Sequence, residues 1–238
     1  MYLQKKIDIA YEEITGVIRA TTPDKNITSA VIWNDKADLI TAQVINANPD
    51  QIAYTSFEEG PGLEGQWTMT SSNPVDNWQS GNVHTGSVSL YSPVVDIEME
   101  KKDLPAGKYK VSFWIHPNGQ SNLSPIVKSS ESNLATVNQT LSRASGWKLY
   151  EAVITLTTDT KIQLVIPNGV YLDEVRLHPA QARMTTFNHR PLVGLISKTG
   201  VNHHTEYYEY DGLKRLRIVK DFDGNIIKRH TYKYKKNH

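Results

Sequence analysis

Gly107-Lys-Tyr-Lys-Val-Ser-Phe-Trp-Ile115 decides the fold class. In an extended chain Tyr109, Val111, Phe113 and Ile115 fall on one face, and Lys108, Lys110, Ser112 and Trp114 on the other. That period of two predicts a half-buried strand. The same alternation runs through Tyr150/Ala152/Ile154/Leu156, Ile162/Leu164/Ile166 and Tyr171/Val175/Leu177, all rich in β-branched and aromatic residues. Asn118-Gly119, Asn168-Gly169 and Asp223-Gly224 supply the positive φ angles of tight hairpins. The only helical candidate is a weak turn around Tyr11–Ile14. The chain reads as all-β.

Its 238 residues suffice for one large or two small domains. A net charge of +1 provides no general field for nucleic acid or an anionic membrane. The absence of cysteine excludes disulfides, thiolate metal sites and a cysteine nucleophile. No apolar run has the length of a membrane span, and Met1–Gly16 lacks the apolar core of a signal peptide. An extracellular role therefore implies a piece of something longer. The charge is uneven: residues 183–238 hold twelve Lys+Arg against five Asp+Glu, which marks a boundary near residue 182. The predicted division is 1–50, a few hairpin strands; 51–182, about eight strands spaced as in a β-sandwich; and 183–238, a repetitive tail. In the tail, 187–195 aligns with 208–216 at an offset of 21, matching Leu192 to Leu213 and Leu195 to Leu216.

Tyr208-Glu-Tyr-Asp-Gly-Leu-Lys-Arg-Leu216, followed by Asp221-Phe-Asp-Gly-Asn225 and Tyr232-Lys-Tyr234, resembles the YD repeat of RHS-type bacterial cell-surface proteins. It departs from the pattern at Lys214, where the repeat has Gly, and at His189-Arg190, where it has Tyr-Asp. The middle segment has Phe57-Glu-Glu59, Thr85-Gly-Ser87, Gly107–Ile115, Gly146-Trp147 and Leu172-Asp-Glu-Val-Arg-Leu177 in that order. This is similar to the galactose-binding-like jelly roll of many carbohydrate-binding modules. The two resemblances imply a jelly-roll sandwich flanked by β-hairpins, the C-terminal ones YD-type, in a secreted or cell-surface protein.

Among candidate chemistries, Gly60-Pro-Gly-Leu-Glu-Gly65 spells a dinucleotide fingerprint without its strand–turn–helix context, and reads as a loop. Glu58, Glu59, Asp173 and Glu174 would meet if the first and last sandwich strands pair, as surface carboxylates, as a catalytic pair or around a cation. The jelly-roll resemblance implies structural calcium, with Glu58 and Asp173 as ligands beside backbone oxygens near Gly86–Ser87. Of the five tryptophans, Trp67 and Trp147 read as core plugs, and Trp78 and Trp114 as candidates to stack on sugar rings. His203-His204 read as a solvated turn, and the basic, tyrosine-rich tail as outward hairpin faces rather than a nucleic-acid site. Motifs of serine hydrolases, zinc proteases and P-loop proteins are missing. The expectation is a non-enzymatic structural or adhesive portion of a larger repeat protein. The alternatives are a polysaccharide-binding module using Trp78 and Trp114, or a glycoside hydrolase fragment.

Overall fold

The structure is a computed structural model and describes residues 7–23, 27–60, 62, 65–71, 78–129 and 134–233. The chain begins as an antiparallel meander: β1 (Ile7–Tyr11), β2 (Ile18–Pro23), β3 (Ser29–Trp33) and β4 (Ile40–Ile45). The Tyr11–Ile14 segment is part of the β1–β2 hairpin turn, not a helix.

Among the described residues, twelve strands of a β-sandwich follow. They are β5 (Ala53–Thr55), β6 (Thr68–Met69), β7 (Trp78–Gln79), β8 (Ser89–Tyr91), β9 (Ile97–Leu104) and β10 (Gly107–His116), then β11 (Ile126–Ser129), β12 (Leu134–Ala135), β13 (Val137–Ser142), β14 (Lys148–Leu156), β15 (Thr160–Ile166) and β16 (Tyr171–Pro179). One sheet runs β13-β14-β10-β16-β8-β7, with β5 also on β16; the other runs β12-β11-β15-β9-β6. The chain repeatedly crosses between these sheets, the winding of a jelly roll. Their facing sides bury Tyr109, Val111, Phe113 and Ile115 against Leu164, Ile166 and Met99, the face that period two assigns to the core. Trp67 belongs to this core too.

The meander then resumes with β17 (Arg183–Arg190), β18 (Gly194–Thr199), β19 (Thr205–Tyr210), β20 (Leu216–Lys220) and β21 (Ile226–Arg229). β17 pairs with β4, Met184 opposite Val44 and Thr186 opposite Ala42. The residues before and after the sandwich thus share one nine-stranded antiparallel sheet, into which the sandwich is inserted. One meander face lies on the outward face of the β10–β14–β16 sheet, giving three layers. Near the N-terminal strands this contact is apolar: small residues Ala20, Ala30 and Ala42 let Ile32, Val44 and Met184 pack on Ile52 and Tyr54. Toward the C-terminal strands it turns polar, through buried Thr186, Asn188, Ser197, Thr199 and Thr205.

The repeat at an offset of 21 has a physical counterpart. Tyr210 Oη–H donates to the Leu195 carbonyl at 2.8 Å, and Tyr232 Oη–H to the equivalent Leu216 carbonyl at 2.7 Å. Separately from that repeat, the Asp of each of the two consecutive turns flanking β20 serves as an acceptor for turn amides. Asp211 Oδ1 takes N–H bonds from Leu213 and Arg215, and Asp221 Oδ1 from Asp223 and Asn225. The fourth turn position is left-handed in both, at Lys214 (φ 60°) and Gly224 (φ 86°). Lys214 bears the steric cost that Gly224 avoids, so Lys214→Gly is expected to raise stability by about 1 kcal/mol or less, read from urea denaturation midpoints. No gain would mean the lysine side chain offsets that cost.

Candidate functional site

The last sandwich strand carries Asp173-Glu-Val-Arg176. Strict alternation would send the adjacent carboxylates to opposite faces. A bulge intervenes: Glu174 has φ 52°, and the β10–β16 register shifts between Ser112 and Trp114. Both carboxylates therefore meet the same segment, His84–Thr85, under the meander.

Glu174 Oε2 accepts from Arg176 Nη2 at 2.7 Å and from Thr186 Oγ1 at 3.1 Å. Its Oε1 accepts from Tyr54 Oη at 2.8 Å and Thr85 Oγ1 at 2.6 Å. Arg176 also donates to Thr186 Oγ1 and to the Gly200 carbonyl. Asn188 closes the network, donating to Thr85 Oγ1 and accepting from Ser56 Oγ. Arg176 and Glu174 are each only 1% exposed. Burial opposes the Glu174 charge, but the Arg176 guanidinium and the Thr85 hydroxyl outweigh it and hold the carboxyl down at about 2. Asp173 accepts from the His84 and Thr85 amides, both at 3.0 Å, and from the Glu174 amide. Burial, then the Glu174 charge, push its carboxyl up against these donors.

Beside this pair, Trp114 stacks on His84 at 4.0 Å between ring centroids, and Trp147 meets His84 edge-on. Arg143 lies over both Trp114 and Phe222, and its Nη2 donates to the His203 carbonyl at 3.0 Å. Here one cation from the β13–β14 turn clamps an aromatic ring of the sandwich to one of the β20–β21 turn. His203 Nε2 lies 3.2 Å from Glu151 Oε1. That bond, opposed by burial and joined by Lys110, holds Glu151 down to about 2.

Several sequence-predicted site residues take other roles. Trp114 does point away from the sandwich core, but His84 and Arg143 of the sandwich's own loops close over it beside Trp147 and Leu149 and it is 0% exposed, so it presents no platform to a sugar. Trp78 sits in β7 opposite Leu90; its side chain lies outside the described residues, as do residues 61, 63 and 64 of the Gly60–Gly65 loop. Trp147 packs with Trp114 and Leu149 outside the main core. His203 is in a turn, as predicted, yet buried against Glu151, whereas His204 is exposed and stacked on Phe222. Glu58 and Asp173 flank one loop, but what converges on them is amide N–H: Ser87 and Val88 donate to Glu58 Oε1 at 2.7 and 2.8 Å. This donor set suits carboxylates and is a poor fit to calcium, which needs six to eight oxygens. Among the described residues no three His, Asp or Glu side chains assemble as cation ligands.

The buried histidines make the layers acid-sensitive. Burial lowers His84 to about 3 and His178 to about 4. Both folded values lie below the unfolded 6.5, so unfolding takes up protons and stability falls as pH drops from 6.5 toward 4. Glu151 extends the loss from 4.5 down through about 2, while the raised Asp173 opposes it. Thermal midpoints are expected to fall over pH 6.5–4, and less steeply in His84→Phe, which keeps a ring on Trp114. Equal slopes would remove His84 from the account.

A second feature is an open cleft of about 1060 Å³ at one end of the meander. It lies between the β3–β4 turn, the end of β17 and the sandwich loop Ser56–Glu59. Trp33 and Phe187 are among its aromatic walls; Asp35, Asp38, Glu58 and Glu59 supply its acidic side chains. Glu59 Oε2 accepts from the Asp35 amide at 3.2 Å, tying the turn to the loop.

No protein-family model matches the chain, and no curated protein matches it.

Proposed function

We propose that the chain is a non-enzymatic structural and adhesive portion of a secreted or cell-surface protein of the RHS/YD-repeat kind, with a galactose-binding-like jelly roll inserted between its repeats. One observation carries this reading: the meander continues across the inserted sandwich and ends in two strands, β1 and β21, whose every residue is exposed and whose outer edges pair with no described strand. Such an edge is where a further repeat hairpin adds. The Tyr210–Leu195 and Tyr232–Leu216 bonds are the unit that would propagate.

Tandem duplication of residues 203–229 tests this. The appended three-strand unit is expected to pair with β21 and slow hydrogen exchange of its amides; unchanged exchange there contradicts the reading. In the same preparation, polysaccharides, calcium and chelator are expected to leave the thermal midpoint unmoved, since a ligand of the native state must raise it. A polysaccharide-dependent rise would favour a binding module instead.

A further inference from the structure

The cleft has two walls that are strand edges. β4 and β17 are hydrogen-bonded neighbours only over Ala42–Ile45 and Arg183–Thr186. Beyond that point β4 begins at Ile40, paired with Trp33, and at the bulged Thr41, and β17 continues through Phe187–Arg190, bound to β18. Among the described residues no strand pairs with either stretch on the side facing the other. The meander therefore splays open beside the insertion, and the sandwich loop Ser56–Glu59 forms the floor of the gap. Asp38 on one lip and His189 on the other are near enough to interact electrostatically.

The lining specifies an occupant. Phe187 and His189 alternate with buried Thr186 and Asn188, so they face away from the sandwich, half-buried. Trp33 stands opposite, with its indole N–H committed to the Ile18 carbonyl at 2.7 Å. The ring is fixed and offers an apolar surface. Four carboxylates, Asp35, Asp38, Glu58 and Glu59, outnumber the cations Lys36 and Arg190. An extended polypeptide answers all three features. Its backbone carries the donors and acceptors that two open strand edges lack, one side-chain face meets the aromatic rings, and basic side chains meet the carboxylates. A sugar supplies neither the strand pairing nor the positive charge.

We propose that this cleft binds an extended basic polypeptide segment as an added β-strand between β4 and β17. The site does not depend on the scaffold role, and its failure leaves that role standing.

The test uses the full chain and a capped octapeptide of alternating Lys and Val, followed by tryptophan fluorescence and by hydrogen exchange at Ile40–Thr41 and Phe187–Arg190. Binding with protection of both stretches is expected. Affinity is expected to fall about tenfold or more for the Glu-Val counterpart, for Asp35→Lys, and for the Lys-Val peptide N-methylated along its backbone. Asp35 is exposed, so its replacement leaves the fold intact, which circular dichroism verifies. Undiminished binding of the N-methylated peptide would reduce the contact to charge alone and overturn the proposal. So would absence of peptide binding, or a cello-oligosaccharide occupying the cleft in its place.

Discussion

Arg176→Met is expected to destabilise the protein by about 3–5 kcal/mol, the cost of leaving a buried carboxylate without its cation. Glu174 lies where five residues donate, Tyr54, Thr85, Arg176, Thr186 and Asn188, and only Arg176 among them carries charge. Removing the guanidinium also strips donors from Thr186 Oγ1 and the Gly200 carbonyl, both on the meander side. The loss thus falls on the contact between the two units rather than on the sandwich core. Adding Glu174→Gln is expected to restore part of it, because the amide keeps an acceptor for Tyr54 and Thr85 without a charge to compensate. Urea denaturation of the parent, single and double variants measures this. A single variant within about 0.5 kcal/mol of the parent would mean that water reaches the pair.

Gly65→Ala is expected to be comparably damaging for a different reason. Gly65 has φ 52°, and a Cβ there would lie 1.7 Å from the Tyr54 carbonyl oxygen. The obstacle is backbone, held in place because the Tyr54 amide donates to the Gly65 carbonyl at 2.9 Å. Tyr54 in turn carries the hydroxyl that meets Glu174. Forced displacement costs about 1–3 kcal/mol, and the left-handed backbone adds about 1. A melting curve with unchanged midpoint would show that the 65–67 segment shifts freely. In contrast, a Cβ at Gly86 would meet the flexible end of Glu58, an easier neighbour to move.

Much of the architecture was legible. Period two identified the strands and the core face of β10, and turn chemistry placed the hairpins. The outward face was not legible as a buried one. Lys110, Ser112 and Trp114 fall on the face opposite the core, and alternation reports which side a residue takes, not what covers that side. Trp114 was the available signal: a large ring on a face assigned to water indicates either a ligand or another layer. Here it is a cover: His84 and Arg143 close over the ring, and the meander's Tyr207 and Phe222 contact them in turn. The pairing of β4 with β17 joins residues about 140 positions apart by sequence numbering, and no local pattern encodes such a contact. The bulge at Glu174 escaped notice because nothing in Leu172–Leu177 carries the usual glycine mark of an extra residue. The cleft arises where two strands part, so Trp33, Phe187 and Asp35, each ordinary in its own segment, meet only through that long-range pairing.

Sandwich and meander are expected to unfold as one cooperative unit, tied through the Glu174–Arg176 layer. Each side depends on the other: the meander's apolar residues pack on Ile52 and Tyr54, and the sandwich's Arg176 donates to Thr186 and to the Gly200 carbonyl of the meander. Differential scanning calorimetry of the full chain, with and without Arg176→Met, tests this most directly. The account predicts one transition in the parent, with calorimetric and van't Hoff enthalpies equal, moved to lower temperature as a whole or split in the variant. Two separate transitions in the parent, or a variant whose trace superimposes on it, would contradict the account.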